Sequence, residues 1–271
     1  MLPDSLGRTV VIEECKLISN SQLARATYAM ELIAPGIAAS VDPGQFVNIL
    51  ISEGWSPLLR RPMSVASRKA DRIGLIYKVV GVGTRAMAEW PPGQVVNILG
   101  PLGNGWSVAD DTFPVLVGGG AGIAPISFLH EDLNSHGREH YLLMGARGKA
   151  EHYLHHDPGK NITLTTDDGT VGLHGTAVDG LLKVLDQFNT GQITIFGCGP
   201  PPMLSALKDF VLERGLPCQL ATETLMACGF GICQGCSVEL KTDEDYSRPS
   251  YRGRFKLACV DGPVFWAHEL A

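Results

Sequence analysis

The chain has 271 residues, with 22 basic against 28 acidic side chains for a formal net charge of −6, and 32 glycines within a 45% apolar composition. Scattered cations and an acidic balance exclude a broad nucleic-acid surface, and the most apolar stretch, residues 115–129, is too broken by Gly118, Gly119, Gly120, Gly122 and Pro125 to span a membrane. Seven cysteines, an odd count, and no apolar leader in the first 20 residues argue against a disulfide framework and for a reducing, cytoplasmic setting.

The length accommodates two domains, or two and a small appendage. Over the first hundred residues, short β-type runs are predicted at 10–14, 26–32, 45–51, 63–68, 72–80 and 94–99, separated by Pro/Gly turns, with one helical stretch at 84–89. Such a series suggests a small antiparallel barrel or sandwich. Its chemistry sits in Arg61-Pro62-Met63-Ser64, where a guanidinium and a hydroxyl three residues apart on a strand edge can both face an anion. An exposed strand with ordinary surface charge is the plain alternative. A second segment, Ile76-Tyr77-Lys78-Val79-Val80-Gly81-Val82-Gly83-Thr84, runs from an apolar strand into a glycine turn and a helix start. Thr84 is the expected N-cap, and the helix would aim its N–H groups at a phosphate.

The middle of the chain changes rhythm. The apolar run Pro114–Val117, the turn Gly118-Gly119-Gly120-Ala121-Gly122 and a helical segment from Ile123 form a strand, a glycine turn and a helix N-terminus. That is the phosphate-cradling unit of a dinucleotide-binding βα fold, although the glycine spacing is not the usual G-x-G-x-x-G. Further strands are predicted at 140–144, 162–166 and 192–197, and helices at 126–135, 177–188 and 203–214, with prolines tolerated in the first turn of the last. The alternation argues for a parallel sheet with helices on both faces. Three loops, Gly118–Gly122, Asp167-Asp168-Gly169 and Gly197-Cys198-Gly199-Pro200, would then lie at the carboxyl ends of strands, where ligands bind in such sheets. His152, His155 and His156 read as a solvated loop, Cys15 and Cys218 as buried apolar side chains, and Lys241–Arg248 as a solvated loop.

Near the end, Cys228, Cys233 and Cys236 stand at C-x4-C-x2-C spacing, with Cys259 following after 22 residues. This is the plant-type [2Fe–2S] arrangement, in which Gly229, Gly231 and Gly235 suit a loop wrapped closely on a cluster. A structural zinc site is the alternative, although zinc sites usually pair two C-x2-C hooks and only Cys233/Cys236 has that form.

Taken together, these motifs resemble those of the ferredoxin-reductase-like flavoprotein superfamily. More narrowly they resemble the electron-transfer subunits of two-subunit, NAD-dependent dihydroorotate dehydrogenases. The resemblance implies an N-terminal FAD-binding β-barrel (residues 1–110), a central α/β NAD-binding domain (111–219) and a small C-terminal [2Fe–2S] domain (220–271). It assigns Arg61, Pro62, Met63 and Ser64 to the FAD pyrophosphate motif, with Met63 where many members carry tyrosine. Ile76, Tyr77, Lys78, Gly83 and Thr84 fall to the other FAD segments. Gly118, Gly119, Gly120, Gly122, Asp168, Gly197, Gly199 and Pro200 fall to the NAD(H) site, with Cys198 near the nicotinamide, and Cys228, Cys233, Cys236 and Cys259 to the cluster. It further implies an FMN-containing catalytic partner in a heterotetramer of two copies of each subunit, acting in pyrimidine biosynthesis. The competing expectations are a reductase subunit of the same build serving ferredoxin or a hydrogenase-type partner, and a zinc-holding scaffold without catalysis.

Overall fold

Alternating apolar residues close the first hundred positions into a barrel. A computed structural model of the chain describes residues 2–3, 9–54, 57–188, 192–241 and 251–271. Strands β1 (Leu2–Pro3), β2 (Thr9–Ala24), β3 (Thr27–Ile33), β4 (Phe46–Ile49), β5 (Arg61–Lys69), β6 (Arg72–Lys78) and β7 (Val95–Leu102) form one antiparallel sheet. Its order is β1-β2-β3-β6-β5-β4-β7, and β7 pairs back onto β2 to close it. Leu17, Leu32, Ile49, Ile73, Leu75 and Ile98 fill the interior.

The predicted strand at 10–14 is only the start of β2. Residues Val11 to Lys16 pair with β7 and Lys16 to Ala24 with β3, and the register shifts between Leu17 and Ser19 and again between Gln22 and Ala24. These irregularities bend one long strand around the barrel and break the period-2 pattern that would have revealed it. A short helix α1 (Pro35–Ala38) follows β3, and α2 (Val82–Ala88) follows β6.

Thr84 is not the N-cap of α2. Gly81 takes that place, and Thr84 sits in the third helical position, its Oγ1 accepting from the N–H of Val80 at 3.0 Å and of Gly81 at 3.1 Å. The hydroxyl thereby satisfies two donors that precede the helix.

Beyond the barrel lie β8 (Phe113–Gly119), α3 (Ile123–Ser135), β9 (Tyr141–Ala146), β10 (Ile162–Thr166), β11 (Leu173–His174), α4 (Ala177–Leu185), β12 (Ile193–Cys198), α5 (Pro201–Glu213) and β13 (Cys218–Ala221). The predicted strands and helices recur within a few residues at each end, and Pro201 and Pro202 occupy the first turn of α5. The last segment supplies β14 (Ser237–Glu239), α6 (Tyr251–Arg254), β15 (Phe255–Leu257) and β16 (Val264–Trp266). The second sheet has the order β11-β10-β9-β8-β12-β13-β16, parallel throughout except for β16, which runs antiparallel on β13. The C-terminal segment therefore lends its own strand to the edge of the parallel sheet. Lys241–Arg248 lies, apart from Lys241, outside the described residues.

Side-chain alternation divides this sheet into two faces. Val115, Val117, Leu143 and Ile195 pack against Leu181 of α4 and Leu207 of α5, whereas Leu116, Leu142, Met144 and Phe196 pack against Ile126 and Leu129 of α3. Phe128 of α3 instead enters the barrel core. The linker between barrel and sheet is pinned by Trp106, whose N–H donates to Pro43 O at 2.9 Å and whose ring meets Phe196 edge-on at 5.8 Å. Among the described residues, no helix is long and apolar enough to cross a membrane.

Phe196 is fully buried between α3 and the linker. Phe196→Ala is expected to lower unfolding free energy by about 3–5 kcal/mol through lost burial and the cavity left behind. Urea titration followed by tryptophan fluorescence measures it.

Candidate functional site

Between barrel and parallel sheet opens a cleft of about 370 Å³. Pro62, Met63 and Ser64 of β5 and Ile76, Tyr77 and Lys78 of β6 line the barrel wall, with Thr84 above them; Ala121, Gly122 and Cys198 line the opposite wall. Thr222, Glu223, Thr224 and Met226, which leave β13 toward the cysteine loop, line the remaining side.

The predicted barrel motif is assembled by a close approach. A Cβ on Gly83 would stand 2.9 Å from Arg61 Nε, so glycine is what lets the guanidinium lie across the first turn of α2. Arg61 Nη1 donates to Leu59 O at 2.7 Å. Tyr77 reaches the cleft wall, but its hydroxyl donates to Asn20 Oδ1 at 2.9 Å and burial pushes it up to about 12. The phenol is thus an anchor of the barrel and no acid or base near neutrality.

Two of the three predicted loops meet. A Cβ on Gly122 would lie 2.3 Å from the carbonyl of Cys198, and Met203 Sδ would be met by a Cβ on Gly119 or Gly199 alike. Gly120, at φ +57°, approaches the ring of Pro200. Gly118 and Gly197 sit inside β8 and β12, where added Cβ atoms would strike Met144 and Leu207, so their smallness serves packing of the sheet. Asp168 stands apart from this pair. Its Oδ1 accepts from Thr170 N and Oγ1 at 3.0 and 2.6 Å, and it borders a separate hollow with Arg25, Arg147 and Lys149.

Cys198 is buried at the cleft, and burial, reinforced by the neighbouring Glu223, pushes its thiol far up. Burial likewise raises the Glu223 carboxyl. Thr224 Oγ1 is buried beside them without a hydrogen-bond partner.

The cysteines of the last segment fall into two pairs. The Cys236 and Cys259 sulfurs lie 3.2 Å apart, and the N–H of Cys233 points at Cys228 Sγ from 3.4 Å. Gly229 and Gly231 take φ values of +81° and +89°, and Gln234 joins them at +56°. This left-handed backbone turns loop N–H groups inward. Burial works against ionisation of Cys228, yet hydrogen bonds from the N–H groups of Cys233, Phe230 and Ile232 outweigh it and bring the thiol down to about 7. The loop is moored to the barrel by Asn48, whose Nδ2 donates to Cys228 O at 3.0 Å.

Among the described residues, no three His, Cys, Asp or Glu side chains converge on a point that one metal ion would fill. Four thiols set in two pairs in a glycine-rich loop would fit a [2Fe–2S] cluster. His152 and His156 are neither ligands nor merely solvated. His152 Nε2 bonds Thr165 O at 3.0 Å and His156 Nδ1 accepts from Leu164 N at 3.1 Å, so both tie their loop to β10.

Sequence reasoning missed the pair that ties the cleft wall to the hollow beside Asp168. Lys78 Nζ of the barrel meets Glu151 Oε2 at 2.8 Å, and Arg147 Nε approaches the other carboxylate oxygen at 3.5 Å. The hydrogen bond from Lys78 holds the Glu151 carboxyl below its ordinary range. No local pattern links positions so far apart; only a lysine ending a strand hinted at it.

A family model for the iron-sulfur cluster binding domain of dihydroorotate dehydrogenase B matches residues 223–271. The dihydroorotate dehydrogenase B (NAD(+)) electron transfer subunit of Fusobacterium nucleatum is 34% identical over 266 residues, covering 96% of this chain and 98% of that one. Its namesake in Geobacillus thermodenitrificans is 33% identical over 95% of this chain and 98% of its own. Among solved structures, an NADH-dependent reduced ferredoxin-NADP oxidoreductase superposes with a TM-score of 0.80 at 26% identity, over 96% of this chain and 90% of its own. Phthalate dioxygenase reductase, at 17% identity and a TM-score of 0.63 over 92% of this chain and 94% of its own, shares the fold.

Because the Glu151 carboxyl is held below its unfolded value, the Lys78–Glu151 pair stabilises the fold above the ordinary carboxylate range, and that contribution is lost as pH falls through the folded value. Glu151→Gln is expected to cost about 1 kcal/mol at pH 7 and nothing in strong acid. Urea midpoints of both proteins at the two pH values measure the difference.

Proposed function

The chain belongs to the family of dihydroorotate dehydrogenase B electron transfer subunits, and from that premise we propose that it passes electrons from an FMN-bearing, dihydroorotate-oxidising partner to NAD+. The observation that carries this reading is the presence of two cysteine pairs in one segment, moored to the barrel through Asn48, beside a cleft walled by Pro62–Ser64 of β5 and by the Gly122–Cys198 contact. When bound, FAD exchanges electrons singly and in pairs, NAD+ accepts hydride only, and a [2Fe–2S] cluster handles single electrons.

The residues of this chain supply binding and position. Arg61 and Ser64 offer a charged fork and a hydroxyl to a pyrophosphate, and the lack of a Cβ at Gly83 keeps that fork in place. Gly119, Gly120, Gly122, Gly199 and Pro200 shape the interlocked loops against which NAD(H) would lie. Cys198, held as a neutral thiol, adds bulk without charge at the cleft wall. Cys228, Cys233, Cys236 and Cys259 hold the cluster, with inward N–H groups stabilising thiolate charge. Thr84 keeps the α2 turn in shape through its hydroxyl and lines the cleft where FAD would lie. Asp168, with Arg25, Arg147 and Lys149, lies where the far end of a dinucleotide could reach.

Leu225 and Ile232, 91% and 75% exposed, flank the cysteine loop with the half-exposed Phe230. Apolar side chains this open beside the cluster support docking of the FMN-bearing subunit there, in an assembly of two copies of each chain. The likeness to the ferredoxin-NADP oxidoreductase keeps a second reading in view, a subunit serving ferredoxin, but the full-length relatives at 30–34% identity favour the first.

The isolated chain is expected to reduce artificial dyes with NADH and to leave dihydroorotate untouched; dihydroorotate oxidation by this chain alone would overturn the assignment. Ile232→Asp is expected to weaken capture of the FMN-bearing subunit by about tenfold, or 1.4 kcal/mol, with flavin and iron content unchanged. Pull-down with cofactor analysis reads both.

A further inference from the structure

Among the described residues, Phe46 and Met226 alone both line the cleft and pack into the apolar seat of the cysteine loop. That seat is made of Leu102, Ala258, Cys236 and Cys259, all buried, with Leu257 and Val260 against them. Phe46, 3% exposed, lies on β4 opposite Ser64 on one neighbour strand and Leu102 on the other. A Cβ on Gly103 would stand 3.0 Å from its ring, so the phenyl group is gripped along its edge. Met226 belongs to the connection that leaves β13 and reaches Cys228 two residues later. Cleft and cysteine seat are thus separated by a wall one side chain thick.

We propose that Phe46 and Met226 form an apolar partition that fixes the electrical contact between the cleft and the cluster and keeps water from the cleft-facing side of the cluster. The inference rests on the reading given above, with FAD in the cleft and [2Fe–2S] on the four cysteines. A phenyl ring and a thioether hold no exchangeable proton, so only electrons cross. In the proposed direction each electron that crosses would leave the cluster one poorer and the cleft cofactor one richer, and the proton that joins two such electrons to make the hydride for NAD+ would enter on the cleft side. Cluster potentials depend on solvent exposure and on hydrogen bonds to sulfur, so a breach in this wall alters the driving force as well as the contact. Asn48 acts in a complementary way, mooring the loop by a polar bond without lining the cleft.

The test uses the full chain carrying FAD and cluster, mixed anaerobically with NADH, with flavin bleaching and the electron paramagnetic resonance signal of the reduced cluster followed separately. In Phe46→Ala and Met226→Ala, cluster reduction measured against flavin reduction in the same variant is expected to slow by about tenfold, or the flavin–cluster electron distribution to shift by about tenfold, the latter equivalent to about 59 mV for one electron. Met226→Leu, which keeps the volume and the dryness, is expected to behave as wild type. Met226→Gln, of similar length but polar, is expected to shift the distribution even where the alanine variants fail to retain cluster. Wild-type rates and distribution in both Met226→Ala and Met226→Gln would overturn the partition. A wild-type protein whose flavin is reduced by NADH while its loaded cluster never is would instead overturn the electron-transfer reading beneath it.

Discussion

Helix α3 is buried on two sides, and the rest of the molecule is arranged around that constraint. Ile126 and Leu129 belong to the core of the parallel sheet, while Phe128 belongs to the core of the barrel. A helix shared in this way fixes the separation of the two layers, because neither core can be completed without it. The cleft exists at that separation. The cross-layer bonds follow the same spacing: Arg25 N–H with Ala150 O, and Lys78 with Glu151. Charged pairs so near the surface contribute modestly to stability; what they specify is the register of one layer on the other.

The cysteine segment is held by both layers at once. Asn104, just past the barrel, donates to Asp261 O and Val264 O and accepts from Val264 N–H, all at 2.9 Å. Asn48 grips the other end of the loop, and β16 completes the edge of the parallel sheet. Such mooring keeps a glycine-rich loop in one conformation despite its small side chains. Preorganisation of this kind is what a redox site needs, since electrons arrive and leave without time for the protein to rebuild around them.

Much of this was legible from local pattern. The apolar run of β8 and the alternation of strands with helices after it announce a parallel sheet. The C-x4-C-x2-C spacing announces a thiolate loop because few other uses of cysteine need it. Failures came where a residue's partner lies far away in sequence. Gly118 and Gly197 carry a second role that the pattern did not show, since their Cβ positions are filled by Met144 of β9 and Leu207 of α5. Thr84 looked like a cap and proved to be the third residue of its helix, since Gly81 offers an extended conformation first. Strands β14, β15 and β16, three residues each, are too short to show a period and form only because partners are supplied elsewhere. The histidines after β9 were invisible as ties to β10 because backbone carbonyls and amides leave no mark in a sequence.

The three cysteines outside the loop, Cys15, Cys198 and Cys218, are all buried and all pushed up, Cys15 to about 12. Thiolate is the form that peroxide attacks, so thiols kept protonated this firmly are poor targets for oxidation. Burial therefore acts here as chemical insulation: it removes three sulfurs from the oxidation ladder and concentrates the vulnerability of the chain on exposed Cys233.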